Sequence, residues 1–260
     1  DCEGHDRKDY RLPYQQDDLV DALAKVNRRV IFVNISGNPV AMLWRDQVAA
    51  IVQGWFIGSE SGEALADVLT GDVCPSGKLP FTWPVKLEDV GAHALKAYPG
   101  TWRTDHKIID EEYKEGIYVG YRWAEAKQIR PLFAFGHGLS YTTFKLSNLR
   151  LSASTLTSDD SLTVTVNVCN TGRRAGSETV QLYIHDNASS VDRPVKELKG
   201  FAKVFLQPGE RKDVNIIIGR DALSFYDEKQ GGWKAELGTF TALLGNASDN
   251  IVLKKTFVLK

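Results

Sequence analysis

The segment CEGHDR, at residues 2–7, contains the side chains best placed for acid–base chemistry. Glu3, His5, Asp6 and Arg7 follow one another closely. A carboxyl group can give up a proton in one step of a reaction and recover it in the next. A Glu in a polar segment is usually a solvated surface acid, so these residues alone make Glu3 a candidate without naming its reaction.

Other catalytic patterns do not occur in the sequence. Gly77-Lys78 is followed by Leu79 instead of Ser or Thr, so a phosphate-binding loop is not supported. Ser140 in GHGLSY lacks the Gly-X-Ser-X-Gly frame of a nucleophile elbow. The histidines are scattered, and the cysteines fit neither a zinc site nor a disulfide framework: Cys2, Cys74 and Cys169. We predict no metal site and no cofactor.

The overall charge is nearly balanced, with 32 Lys and Arg against 33 Asp and Glu, and neither sign forms a block. This composition does not favour nucleic acid or an anionic membrane surface as a partner. No apolar run approaches the ~20 residues of a membrane span. A neutral or small polar ligand fits the composition better.

The first half of the chain shows helical and strand patterns in alternation. The period predicts a helix from Pro13, with its core face formed by Leu19, Ala22, Leu23 and Val26 and its polar face by Asp17, Asp18, Asp21 and Lys25.

Apolar runs at Val30–Val33 and Val48–Val52 predict parallel strands covered on both faces. The pattern predicts a second helix that Ser59 or Ser61 can cap and that ends at Gly71, with an apolar stripe formed by Ala64, Leu65, Val68 and Leu69. This alternation predicts an open α/β sheet, whose ligand sites lie at the carboxyl ends of the strands.

The second half has a different period. Residues 91–141 are rich in aromatic side chains without a regular pattern, so they are either a packed crossing loop or a functional one. After Phe144, Leu162, Val164, Val166 and Val168 alternate with polar residues, and further alternating runs predict about seven strands. We predict an all-β, immunoglobulin-like or fibronectin III sandwich at residues 143–260, after an α/β domain at residues 1–142.

A set of motifs occurs in a distinctive order. They are CEGHDRKDYRLPYQQDDLVDAL, VNISGNPVAM, GSESGEALADVLTGDVCPSGKLPFTWP, YPGT, EGIYVGYRW, PLFAFGHGLSYTTF, NTGRRAGSETVQLYIHD, RPVKELKGFAKV and LSFYDE. Together they resemble the carboxyl-terminal part of a glycoside hydrolase family 3 enzyme of the β-glucosidase and β-xylosidase type. The resemblance covers essentially the whole chain.

The resemblance implies three domains: a TIM-like barrel with a nucleophilic Asp, an α/β sandwich with the acid/base Glu, and a fibronectin type III-like domain. This chain is similar to the end of the second domain and all of the third. Glu3 matches the acid/base, and Asp6 and Arg7 match an ion pair that orients its loop. In a retaining enzyme the two carboxyl groups lie ~5–5.5 Å apart, and the enclosing barrel and the second carboxylate raise the pKa of the acid.

The implied function is that of a retaining exo-β-glycosidase, foremost a β-glucosidase, acting on an oligosaccharide or another β-glycoside. Alternatives are a β-xylosidase or other β-glycosidase, and a non-catalytic carbohydrate-binding or scaffold module. The sugar-binding residues are unknown, because most of them would lie in the barrel. We expect the chain to be inactive without that barrel, supplied in cis or as a separate chain. The resemblance favours a secreted or periplasmic location.

Several features of the resemblance leave alternatives open. Cys2 and Cys74 stand where Gly or Ser and Asn are usual in the family. The chain starts inside the acid/base loop, which suggests a piece of a longer protein or one chain of a nicked enzyme. Residues 36–39, SGNP, form either a sugar-facing strand end or a simple turn, and Trp55 either stacks on sugar or packs in the core.

Overall fold

The computed structural model describes residues 4, 7, 9–105, 107–157 and 160–260. The chain divides into two compact units. The first comprises Asp1–Val73, Trp83–Lys114 and Arg130–Phe133, and the second comprises Cys74–Thr82, Glu115–Ile129 and Ala134–Lys260. Parts of the long aromatic stretch therefore belong to each unit. The domain boundary between residues 142 and 143 stays a prediction.

The first unit has the predicted α/β order. It consists of α1 (Gln16–Val26), β1 (Ile31–Asn34), β2 (Ala50–Gln53), α2 (Ser61–Thr70), α3 (Gly91–Ala94) and a small hairpin of β3 (Thr101–Trp102) and β4 (Ile109–Asp110). β1 and β2 run parallel, with Ile31 opposite Ala50 and Asn34 opposite Gln53. The predicted parallel pair is confirmed, with each strand beginning one or two residues later than expected.

The predicted orientation of α1 is wrong. Its buried residues are Asp17, Val20 and Ala24, whereas Leu19 and Val26 of the predicted core face are 60% and 83% exposed. The reason is that the Asp17 carboxylate is held by three hydrogen bonds, described below, which turn that side of the helix inward.

α2 ends as predicted, but its start and its packing differ from the prediction. Gly71 takes the left-handed conformation, with φ 87°, and its N–H bonds the carbonyl of Asp67, which is the usual role of glycine after a helix. The residue before the first turn is Glu60, and no side chain caps it. No residue of α2 is fully buried: Leu65 and Val68 of the apolar stripe are partly buried, and Ala64 and Leu69 are exposed.

Tryptophans form the centre of the first unit. Trp83 is 1% exposed, and its indole N–H donates to the carbonyl of Val40 at 2.8 Å. Its ring lies edge-on to Phe133, with ring centroids 6.0 Å apart. Trp44 is 2% exposed and packs edge-on against Phe32 of β1 at 4.4 Å. These contacts join segments that lie far apart in the chain.

The second unit is the predicted β-sandwich. Its long strands are β5 (Phe144–Leu151), β7 (Leu162–Asn170), β8 (Gly176–Asp186), β9 (Glu197–Leu206), β10 (Arg211–Ile218), β13 (Gly238–Ala247) and β14 (Asn250–Leu259). The short strands are β6 (Thr155–Leu156), β11 (Phe225–Asp227) and β12 (Gly232–Lys234). One sheet has the order β10-β7-β5 and the other β6-β14-β13-β8-β9.

The alternation in β7 is confirmed. Leu162, Val164, Val166 and Val168 are all 0% exposed and belong to one apolar core with Leu182, Phe240 and Phe257. Burial of such side chains contributes about 1.5–3 kcal/mol each. This core is large enough to hold the two sheets together.

The outer face of β8 is also covered. α4 (Tyr121–Ala126) places the ring of Tyr121 edge-on to Tyr183, with centroids 5.7 Å apart, and Tyr183 is 0% exposed. The Tyr183 hydroxyl donates to Gln181 Oε1 at 2.6 Å, and Gln181 Nε2 donates to the carbonyl of Asn246 at 2.8 Å. The aromatic stretch around Tyr121 therefore packs on the sandwich, as a crossing loop would.

No helix among the described residues is both long and apolar enough to cross a bilayer.

Candidate functional site

Glu3, the predicted acid/base, lies outside the described residues, as do His5 and Asp6. The predicted Asp6–Arg7 ion pair stays a prediction for the same reason. Gly4 has φ 76°, a left-handed conformation that favours glycine directly after Glu3. The guanidinium of Arg7 donates to the carbonyl of Arg11, which closes the segment on itself.

A buried carboxylate anchors the segment that follows Glu3. Asp17, in the first turn of α1, is 8% exposed. One of its oxygens accepts the indole N–H of Trp44 at 2.8 Å, and the other accepts the backbone N–H of Leu12 at 3.2 Å and Nε of Arg11 at 3.3 Å. Charge-assisted hydrogen bonds of this kind are stronger than neutral ones. Asp17 therefore ties the loop to both α1 and the tryptophan core.

Tyr10 is the second anchor. Its ring is 9% exposed, and its hydroxyl donates to the carbonyl of Pro84 at 2.9 Å. Its own carbonyl accepts the N–H of Ala41 at 2.7 Å. Burial raises the pKa of the Tyr10 hydroxyl, so the group stays protonated and keeps its role as donor. The loop is thus pinned a few residues downstream of Glu3.

An open cleft of about 410 Å³ lies along this segment. Its wall is lined by Arg7, Asp9, Arg11, Leu12, Pro13, Tyr14, Gln15, Asp17 and Asp18. Tyr14 is 93% exposed at its rim. The mixture of guanidinium, carboxylate and aromatic groups suits a polyhydroxy ligand, since such groups can both donate and accept hydrogen bonds.

The carboxyl ends of β1 and β2 are joined by side-chain hydrogen bonds. Asn34 Nδ2 donates to Ser36 Oγ at 2.8 Å and to Gln53 Oε1 at 2.7 Å. Ser36 Oγ donates to the carbonyl of Asn38 at 2.7 Å, which builds the turn at residues 36–39. These groups satisfy one another, so the network supports the simple-turn interpretation.

Trp55 follows β2 in a strained conformation. Its φ is 57°, in the left-handed region that a bulky side chain rarely adopts. Its ring lies 6.4 Å from that of the buried Trp83. This contact supports core packing for Trp55, and whether it also contacts sugar stays a prediction.

Sequence reasoning missed Asp17 and Tyr10 as supports of the loop. The helical period placed Asp17 on the solvent face, next to the equally acidic Asp18. The signal available was an Asp in the first helical turn, where the helix dipole favours acids. That signal does not tell which of two adjacent acids is buried.

We predict that Asp17→Ala destabilises the first unit by about 1–3 kcal/mol, because it leaves the N–H groups of Trp44 and Leu12 without their acceptor. In a longer protein that contains this chain and is active, the loss of the anchor lowers kcat more than it raises KM. Urea unfolding and steady-state kinetics measure the two effects. Asp18→Ala, at the exposed neighbour, is the control, and equal behaviour of the two variants would contradict the anchor.

Family models match both parts of the chain. Residues 1–121 match the glycosyl hydrolase family 3 C-terminal domain, and residues 178–248 match a fibronectin type III-like domain. The chain is 52% identical to the β-glucosidase BoGH3A of Bacteroides ovatus, over 99% of this chain and 34% of that protein. It is 43% identical to thermostable β-glucosidase B of Acetivibrio thermocellus, over 98% of this chain and 33% of that protein.

Solved structures agree with these matches. The family 3 β-glucosidase of Bifidobacterium adolescentis matches with a TM-score of 0.91 and 33% identity, over 99% of this chain and 37% of that one. The β-glucosidase of Kluyveromyces marxianus in complex with glucose matches with a TM-score of 0.89 and 42% identity, over 99% of this chain and 30% of that one.

The chain thus spans about a third of the length of its curated relatives. The two matched models follow one another in the order that the motifs predict. With its α/β unit and its β-sandwich, the chain belongs to glycoside hydrolase family 3 and carries the family's C-terminal domain together with a fibronectin type III-like domain.

Proposed function

We propose that this chain is the carboxyl-terminal part of a retaining exo-β-glucosidase, in which Glu3 is the general acid/base. The observation that carries the proposal is the alignment of nearly the whole chain with proteins named β-glucosidases. The pinned loop after Glu3 supports it, because an acid/base must be held in position by groups that do not react. The nucleophile belongs to a barrel domain that precedes this chain in a longer protein.

The reaction then takes two steps. The barrel carboxylate attacks the anomeric carbon while Glu3 gives its proton to the departing glycosidic oxygen, and a covalent glycosyl-enzyme forms. Glu3, now ionised, removes a proton from water as that water attacks the same carbon. The sugar leaves with its original anomeric configuration, and Glu3 recovers its proton.

The anchors have a direct role in this scheme. Asp17 holds Leu12, and Tyr10 bonds Pro84 and Ala41. These contacts fix the chain from Tyr10 onward, and an acid/base whose neighbouring segment is fixed needs less ordering to reach the glycosidic oxygen than one on a fully solvated segment. The loop geometry thus supports acid/base catalysis, whereas the choice of sugar depends on the barrel.

The test compares the chain Asp1–Lys260 with a longer protein that contains the preceding domain. We expect the longer protein to hydrolyse an aryl β-glucoside and release β-glucose first, as followed by proton NMR. The chain alone should show no turnover, because it lacks the nucleophile. If the longer protein hydrolyses an aryl β-xyloside faster than the aryl β-glucoside, it is a β-xylosidase rather than a β-glucosidase. Release of α-glucose as the first product would contradict a retaining mechanism.

A further inference from the structure

Two exposed aromatic rings stand out on the second unit. They lie on the aromatic hairpin, residues 225–234, in which β11 and β12 pair antiparallel. Trp233 is 76% exposed and Tyr226 is 53% exposed. Large aromatic side chains are usually buried because their rings gain free energy on leaving water. Two such rings in contact with each other and left in solvent are a candidate binding surface.

The two rings form a corner. Tyr226 and Trp233 are direct partners in the register of the hairpin, so their side chains project from the same face. Their centroids lie 5.8 Å apart and their planes meet at 81°. The C–H face of a pyranose ring can pack on one plane while the other ring contacts its edge. A flat crystalline surface would need coplanar rings, so the corner suits a single soluble chain.

The opposite face of the aromatic hairpin is fixed. Two cations contact the Phe225 ring, with Arg193 5.7 Å and Lys234 5.9 Å from its centroid. The Arg193 side chain is 8% exposed and donates to the carbonyl of Leu223 at 2.9 Å. At the tip, Asp227 Oδ1 accepts the backbone N–H of Lys229 at 3.0 Å. Because these contacts already hold the aromatic hairpin in place, it loses little conformational entropy when a ligand binds.

A cleft with both apolar and charged lining residues adjoins the indole ring. Its volume is about 650 Å³, within the range of about 300–1,000 Å³ typical of small-molecule sites. It is lined by Arg220, Asp221, Ser224, Trp233 and Ala235. The guanidinium of Arg220 can donate to sugar hydroxyls and the carboxylate of Asp221 can accept from them. One cation beside one anion suits a neutral ligand.

We propose that the aromatic hairpin and this cleft bind a soluble β-linked gluco-oligosaccharide. The choice of a β-glucan rests on the proposed function, whereas the corner and the cleft define a sugar site by their own geometry. A nucleic acid would call for several cations along a backbone, and the cleft offers one. A stable protein partner needs roughly 1,200–2,000 Å² of interface, much more than two rings and a short cleft provide.

The site would hold a glucan chain that the catalytic part trims from its non-reducing end. Holding the chain raises its concentration near the active site without any new catalytic group. The benefit therefore appears with long substrates and is absent with small aryl glucosides. This difference separates a binding role from a structural one.

The test titrates the chain Asp1–Lys260 with laminarihexaose and cellohexaose, followed by tryptophan fluorescence and calorimetry. We expect saturable binding of at least one hexaose, weakened at least about tenfold by Trp233→Ala. Trp102→Ala is the matched control, because it removes an indole that is 55% exposed in the first unit, and we expect no change in affinity. Equal unfolding midpoints would show that both variants fold.

Other results would overturn the site. These are no hexaose binding, binding unaffected by Trp233→Ala, or self-association of the chain that Trp233→Ala abolishes. Protection of Trp233 from acrylamide quenching in the longer protein without sugar would assign the rings to contact with the preceding domain. If the longer protein hydrolyses aryl β-glucosides but the chain binds no hexaose, only the binding site is overturned and the glucosidase proposal stands. A third outcome is that the chain binds a hexaose, that Trp233→Ala abolishes this binding, and that the longer protein hydrolyses no β-glucoside. That outcome overturns the glucosidase proposal and favours a non-catalytic binding module.

Discussion

In the longer protein, Glu3→Gln should lower kcat/KM for glycosides with poor leaving groups by about 10²–10⁴-fold. The amide cannot protonate the glycosidic oxygen, and an alkoxide of high pKa does not leave without a proton. A dinitrophenyl β-glucoside needs no such help, so its first step should remain fast. Comparing methyl or alkyl β-glucosides with activated aryl β-glucosides measures the difference.

Azide supplies a second readout for Glu3. It needs no general base, so it should attack the glycosyl-enzyme of Glu3→Gln and yield a β-glucosyl azide. Glu63→Gln is the matched control, since Glu63 is an exposed carboxyl in the first turn of α2. Equal losses on all substrates, or no azide product, would count against Glu3 as the acid/base.

Lys78→Met should lower the free energy of unfolding of the second unit by about 3 kcal/mol, because it leaves a buried carboxylate without its cation. Lys78 Nζ lies 2.8 Å from Glu178 Oε1, and the two side chains are 15% and 7% exposed. The ammonium also donates to the carbonyl of Gly138 at 2.9 Å. The pair therefore joins the SGKLP segment to β8 and to the GHGLSY turn.

Urea unfolding of Lys78→Met, followed by circular dichroism, measures this effect. Lys254→Met, at an exposed position of β14, is the control and should change the free energy of unfolding by less than about 0.5 kcal/mol. Adding Glu178→Gln to Lys78→Met should recover part of the loss, since the remaining group is neutral and still bonds Asn246. Equal stability of Lys78→Met and Lys254→Met would show that the pair contributes little.

Features set by short-range physics were predictable from the sequence. The period of two in β7 predicted its buried side chains, since alternate residues of a strand face opposite sides. The apolar runs predicted β1 and β2 as parallel partners, and Gly71 predicted the end of α2. The ordered motifs predicted the family that the comparisons confirm.

The role of Gly138 in the GHGLSY motif was not predictable. A Cβ on Gly138 would lie 2.0 Å from the carbonyl oxygen of Gly77, so the two loops touch backbone to backbone. The GHGLSY motif thus serves close packing in this structure. Sequence patterns do not show which distant backbone a glycine approaches.

The sequence by itself determined the element types, the sandwich core and the family of this protein. The tertiary structure alone decided that Asp17 turns inward on α1, that Tyr183 on the outer face of β8 is buried, and that Lys78 pairs with Glu178. Periodicity reports only the average polarity of a face. A single carboxylate with three hydrogen-bond donors, or an aromatic ring brought from a distant segment, can reverse that preference because partners far apart in the chain supply the free energy.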